Sequence, residues 1–204
     1  MWIKICGLTS AASVATALEL QVDALGFVFS ASVRQLSCER ALELAQAARG
    51  RARCVAVTRH PTQPLVDEIL RVFAPDVLQS DLADLEALQL PRALELLPVV
   101  RDVAAAPPRP PARLLFEGAH SGAGLTSDWS AAAALAPRTQ LILAGGLRPD
   151  NVAAAIAAVR PFGVDVSSGV EERPGLKSPA TMAKFVHAAR AAAAAHPRLT
   201  EDTR

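Results

Sequence analysis

An excess of either charge is missing from this sequence: 21 Lys and Arg stand against 20 Asp and Glu, for a net charge of +1. That balance leaves no global field to draw the chain to nucleic acid or to a membrane surface, so any anion site has to be local. Cysteine is scarce too. Cys6, Cys38 and Cys54 make an odd number with no CxxC spacing, which fits a reducing, cytoplasmic setting better than a disulfide framework. The N-terminal MWIKICGLTS has no basic stretch followed by an apolar one, so no secretory signal is read there. No apolar run approaches the roughly 18 residues of a membrane-spanning helix. His60, His120, His187 and His196 are scattered without ligand spacing, and no metal site is expected from them. The arginines are spread along the chain rather than clustered with aromatic residues, against a nucleic-acid-binding surface.

What the chain has is length and apolar residues: 204 residues, 51% of them hydrophobic, enough for one well-buried core. Short aliphatic and β-branched runs alternate with longer Ala/Leu/Glu/Arg runs. That rhythm predicts a parallel sheet covered by helices. Strands are expected at 3–6, 24–29, 53–58, 77–79, 96–101, 113–116, 140–144 and 163–166, and helices at 11–20, 38–48, 64–73, 82–88, 130–135, 151–159 and 179–195. Eight strands in so short a chain, with no GxGxxG after the first, favour a closed (β/α)8 barrel over an open doubly wound sheet. The helix expected after strand five is missing, because 102–112 is too rich in proline, which lacks a donor and clashes with the preceding turn. The reading is one domain over 1–195, with 196–204 a polar tail that lacks a core pattern and should fray.

In such a barrel the chemistry lies in the loops after the strands' C-terminal ends. Lys4 and Cys6 are two apart at the end of strand one, so both face one side, where an ammonium can lower a thiol's pKa. A small buried apolar residue is the plainer reading of Cys6. Arg34, after strand two, is either a solvated arginine or a bidentate grip on a carboxylate. Asp128 follows a glycine-rich loop where a helix begins, as a helix cap or as a proton donor. Gly145 and Gly146 follow strand seven and Ser167, Ser168 and Gly169 follow strand eight; paired loops there often bind phosphate through backbone N–H groups.

The segments KICGLTS, ALGFVF with SVR, LILAGGLRPDNV, and GVDVSSGVE followed by PGLKS run in order along nearly the whole chain. Together they resemble the signature segments of the phosphoribosylanthranilate isomerase family. The resemblance implies a cofactor-free isomerase of tryptophan biosynthesis with Cys6 as general base and Asp128 as general acid. It places Arg34 on the substrate carboxylate, Gly145, Gly146, Ser168 and Gly169 on the phosphate, and Asp165 as a buried polar support. The implied partner is a small phosphosugar, with the protein a monomer or homodimer.

Three places depart from the family pattern, one of them Val33, which precedes Arg34 where a proline is common. A Gln-Leu-His-Gly stretch is usual after strand four, where this chain has Leu78, Gln79, Ser80 and Asp81. Leu-Leu-Asp is usual after strand six, where Leu114 and Leu115 lead to Phe116 and Glu117. Glu117 takes the place of that Asp only with a one-residue gap. These departures keep open a non-catalytic, phosphosugar-binding relative, and phosphate loops alone also suit other barrel phosphosugar enzymes. Against an indoleglycerol-phosphate synthase stands the lack of an N-terminal extension, and against a ribulose-phosphate epimerase the lack of a His/Asp metal set.

Overall fold

The computed structural model describes residues 1–102, 106–118 and 128–196. Eight parallel strands close into a barrel in sequence order: β1 Trp2–Cys6, β2 Ala24–Val28, β3 Arg53–Val57, β4 Val77–Asp81, β5 Glu95–Val100, β6 Arg113–Glu117, β7 Gln140–Ala144 and β8 Gly163–Val166. Closure comes from β1 pairing with β8, Lys4 opposite Asp165 and Ile5 opposite Val166. The helices are α1 Ala11–Glu19, α2 Cys38–Ala45, α3 Gln63–Glu68, α4 Leu82–Ala87, α5 Trp129–Leu135, α6 Val152–Val159 and α7 Pro179–Ala195.

Strand alternation splits the apolar residues into two layers. Ala24, Val55, Val77, Leu97, Val99, Leu115, Ile142 and Ala144 fill the barrel. Ile3, Ile5, Leu25, Phe27, Leu78, Leu114, Phe116, Leu143 and Val164 face outward to the helices. Serines start several helices, since a side-chain oxygen there accepts an otherwise unpaired N–H: Ser10 from Ser13, Ser37 from Arg40 and Ser178 from Thr181. At the barrel's N-terminal end, Arg113 lies over the rings of Phe162 and Trp2 and pairs with Glu95 at 3.0 Å. This closes the floor.

The expected elements all form, with ends moved by a residue or two. The longest helical expectations break up: Gln46–Ala48 tightens to a 3₁₀ turn and Ile69–Phe73 widens to a π turn. Among the described residues of 101–112 there is no helix. One element was not foreseen: β9 Glu171–Arg173 and β10 Leu176–Lys177 form an antiparallel hairpin after β8, with Gly175 at φ +83° in its turn. The Pro174-Gly175 pair is a turn signal that marks it. Of the tail expected to fray, 197–204 lies outside the described residues, as does most of the glycine-rich loop before Asp128. No helix of the described residues is long and apolar enough to cross a membrane.

Candidate active site

Lys4, Cys6 and Asp165 come together inside the barrel at the C-terminal end of the strands. Lys4 has no exposed surface and Cys6 is buried; the Lys4 Nζ sits 3.0 Å from Asp165 Oδ1. Burial works to lower the pKa of Lys4, but Asp165 and Cys6 outweigh it and hold the ammonium above its ordinary value. For Cys6 the balance runs the other way. Burial pushes the thiol up further than Lys4 pulls it down, so its pKa is raised. The sequence reading that a neighbouring ammonium depresses this thiol is thus corrected: Lys4 acts in that direction and desolvation wins.

The loops after β7 and β8 are built around glycine. Gly145 and Gly146 have φ of +90° and +63°, backbone that side chains strain to adopt. Asn151, at the start of α6, ties the loop down: its Nδ2 donates to Gly146 O at 2.9 Å and its Oδ1 accepts from Arg148 N at 2.7 Å. Gly169 meets this loop from the other side, where a Cβ would lie 1.9 Å from Leu147 O. The two loops therefore touch backbone to backbone. Together with Glu117, Asp165, Ser167 and Ser168 they line a small concavity at the barrel mouth. A roomier groove, lined by Asp23, Arg51, Arg53 and Asp76, lies at the opposite end, where barrels keep stability rather than chemistry.

Arg34 reaches the mouth from the segment after β2, its Cδ so close over Gly7 that a Cβ there would lie 2.5 Å away. Its Nε and Nη2 donate to the two carboxylate oxygens of Glu171, both at 2.7 Å. Lys177 Nζ donates to Glu171 Oε1 at 2.8 Å and to Ser167 O at 3.0 Å. Ser167 Oγ in turn donates to Cys6 O at 3.1 Å. Burial works to raise the Glu171 carboxyl, but Arg34 and Lys177 outweigh it and hold it at about 2. Sequence reading missed Glu171 and Lys177. Each is an ordinary charged residue in an exposed-looking EERPGLK stretch, and only the hairpin turns them inward.

Asp128 caps α5, its Oδ1 accepting from Ser130 N at 2.9 Å and Ala131 N at 3.1 Å. The cap reading is therefore correct as far as it goes. Asp128 is exposed among the described residues.

The departing segments also find places. Phe116 faces the helices, so Glu117 and not Phe116 points into the mouth. Arg101 pairs with Asp81 at 2.9 Å and with Glu117 at 3.1 Å, joining the ends of β4, β5 and β6. Ser80 faces outward and donates to Asp84 Oδ2 at 2.9 Å. His60, Asp81 and Asp84 bring ligand atoms within 4.8 Å of one another, but they are engaged already: His60 Nδ1 lies 3.0 Å from Asp84 Oδ1, and Asp81 holds Arg101.

Comparison with known proteins points to one family. A family model described as N-(5'phosphoribosyl)anthranilate (PRA) isomerase matches residues 3–188. The N-(5'-phosphoribosyl)anthranilate isomerase of Roseiflexus castenholzii is 38% identical over 95% of this chain and 100% of its own length. The crystal structure of TrpF from Jonesia denitrificans superposes with a TM-score of 0.77 at 34% identity, over 97% of this chain and 100% of that one. A phosphoribosyl anthranilate isomerase in complex with reduced 1-(o-carboxyphenylamino)-1-deoxyribulose 5-phosphate gives a TM-score of 0.74 at 26% identity, over 94% of this chain and 99% of that one.

Proposed function

The chain belongs to the N-(5'-phosphoribosyl)anthranilate isomerase family, and on that premise we infer that Cys6 and Asp128 carry out its isomerisation as base and acid. The reaction is the Amadori rearrangement of N-(5-phosphoribosyl)anthranilate to 1-(2-carboxyphenylamino)-1-deoxyribulose 5-phosphate, a step of tryptophan biosynthesis. One observation supports this most: a buried cysteine beside an ion-paired lysine ends β1, next to two glycine-built loops that meet after β7 and β8.

The two loops take the phosphate on backbone N–H groups of Gly145, Gly146, Ser168 and Gly169. Arg34 takes the anthranilate carboxylate, and Asp165 keeps Lys4 charged beside Cys6. Asp128 gives a proton to the furanose ring oxygen as the C1–O bond opens, leaving a Schiff base. Its Oδ1 is engaged by α5, so Oδ2 is the oxygen that delivers the proton. The Cys6 thiolate then removes the proton from C2, and the electron pair moves to neutralise the iminium. The resulting enolamine tautomerises to the ketone. The steps are proton transfers and the opening of the C1–O bond, and none calls for a cofactor.

The direct test is turnover of N-(5-phosphoribosyl)anthranilate by the purified protein, followed as loss of the substrate's fluorescence. Absence of turnover in folded protein that still binds a phosphorylated product analogue would favour the non-catalytic relative. Arg34→Ala is expected to raise KM far more than it lowers kcat, since a carboxylate contact is made equally in ground and transition states. An unchanged KM would remove Arg34 from the site. The phosphate loops have their own signature. A phosphorylated product analogue at 100 times its Kd should stabilise the fold by about 2.7 kcal/mol, and its dephosphorylated form much less. Gly169→Ala, which sets a methyl against Leu147 O, should erase the difference; equal melting shifts for both compounds in the unaltered protein would put the phosphate elsewhere.

A further inference from the structure

Glu171 sits where no step of the proposed reaction needs an acid or a base, yet it is among the most heavily bonded side chains at the mouth. Its side chain is 4% exposed. Oε1 accepts from both Arg34 Nε and Lys177 Nζ, and Oε2 accepts from Arg34 Nη2. We propose that Glu171 is a positioning residue: it aims the Arg34 guanidinium at the substrate carboxylate and, through Lys177 and Ser167, fixes it relative to the end of β1 and the loop after β8. This rests on the reading of Arg34 as the group that holds that carboxylate.

A guanidinium carries five N–H groups in a planar fork and offers two edges to a carboxylate. One edge is Nε with one terminal nitrogen; the other is the two terminal nitrogens together. Glu171 fills the first edge with two parallel bonds. The second edge, Nη1 with the remaining Nη2 hydrogen, keeps the geometry for a second bidentate carboxylate. A free arginine would have to find that orientation anew in each binding event; here it is set in the folded protein.

Charge supports the same role. Glu171 stays ionised because Arg34 and Lys177 hold its carboxyl far below the usual range. Two cations against one anion leave the cluster with a single surplus positive charge, which one substrate carboxylate neutralises. Lys177 is itself fully buried at its side chain, and its bond to Ser167 O extends the brace to the loop after β8. From Ser167 Oγ the brace reaches Cys6 O. A shift of Glu171 would therefore move the guanidinium.

The test measures binding of two compounds: reduced 1-(o-carboxyphenylamino)-1-deoxyribulose 5-phosphate, and the same molecule without its ring carboxyl. Each is titrated into wild type, Glu171→Gln, Arg34→Ala and the double variant. Glu171→Gln keeps shape but cannot accept all three bonds, and should weaken the carboxylated compound by about tenfold or more, with little effect on the other. In Arg34→Ala, the added Glu171→Gln change should make no further difference, because a residue that acts through Arg34 has nothing left to aim. Equal weakening of both compounds, or penalties that multiply in the double variant, would overturn the proposal. If Arg34→Ala binds the carboxylated compound as tightly as wild type, it is instead the reading of Arg34 that fails. Should Glu171→Gln not fold, Glu171→Asp keeps the charge beside Lys177 while shortening the reach to Arg34, and the same titrations apply with the same expected and overturning results.

Discussion

Cys6→Ser and Asp128→Asn are each expected to lower turnover by about 10²- to 10⁴-fold, the usual worth of one positioned acid or base, with melting temperatures close to wild type. The choice of asparagine matters, because Asp128 has a cap role beside its proposed proton transfer. It caps α5 through Oδ1, and asparagine caps about as well as aspartate, so the cap survives while the transferable proton is lost. Asp128→Ala would remove both and add about 1 kcal/mol of destabilisation. Serine at position 6 keeps a small side chain in the same buried space, with a hydroxyl far too weak an acid to serve as the base. The pH profile carries a further sign. Burial raises the thiol's pKa, and the base works as thiolate, so kcat/KM should climb with pH through and above neutrality. Near-normal turnover in both variants would remove the pair from the mechanism. A kcat/KM already flat from acidic pH would remove Cys6 alone.

The largest expected effect on stability belongs to Asp165→Ala. It strands the ammonium of Lys4, which has no exposed surface, and breaking a buried pair from one side costs about 3–5 kcal/mol. For a domain of this size each kcal/mol moves Tm by about 2–4 °C, so thermal unfolding should come more than about 6 °C earlier. Removing both charges is a different matter, since a buried pair replaced by apolar residues of similar volume is often neutral. Lys4→Met with Asp165→Leu should therefore recover most of the lost stability. It should not recover activity, because Lys4 is the main influence drawing the Cys6 thiol down against burial. A single variant as stable as wild type would mean that the pair does not hold this end of the barrel; a double variant with full activity would mean that the charge beside Cys6 is dispensable.

The strands were legible because their period is short and their boundaries are marked. Lys4 and Cys6 on one side of β1, with Ile3 and Ile5 on the other, follow from alternation alone. The loops after β7 and β8 were legible for a similar reason: glycine after an apolar strand announces unusual backbone. What resisted reading was partnership. Nothing in EERPGLK marks Glu171 and Lys177 as buried, since their burial depends on a hairpin folding back on Arg34, 137 positions earlier in the chain for Glu171. The sign of the Cys6 shift was likewise out of reach, because adjacency supplies the attractive charge and only the fold supplies the desolvation. The ambiguity at Phe116 and Glu117 yields to register: Glu117 lies opposite Ala144 and shares the inward side with Leu115.

The closure of β1 against β8 also bears on how the protein is made. Lys4 emerges from the ribosome ahead of most of the barrel, and its partner Asp165 follows 161 positions later. Chains fold from the N-terminus as they are synthesised, so for most of translation β1 pairs with β2 on one side and presents an open edge on the other. Such an edge is a template for pairing with a neighbouring chain. Its N-terminal position makes β1 the strand that waits longest, and it carries the proposed base. Premature termination before 163 would leave Cys6 and Lys4 without Asp165 and Ser167, in a sheet that cannot close. Catalytic competence thus arrives late and all at once, with the eighth strand, and a truncated product would be prone to associate through its first.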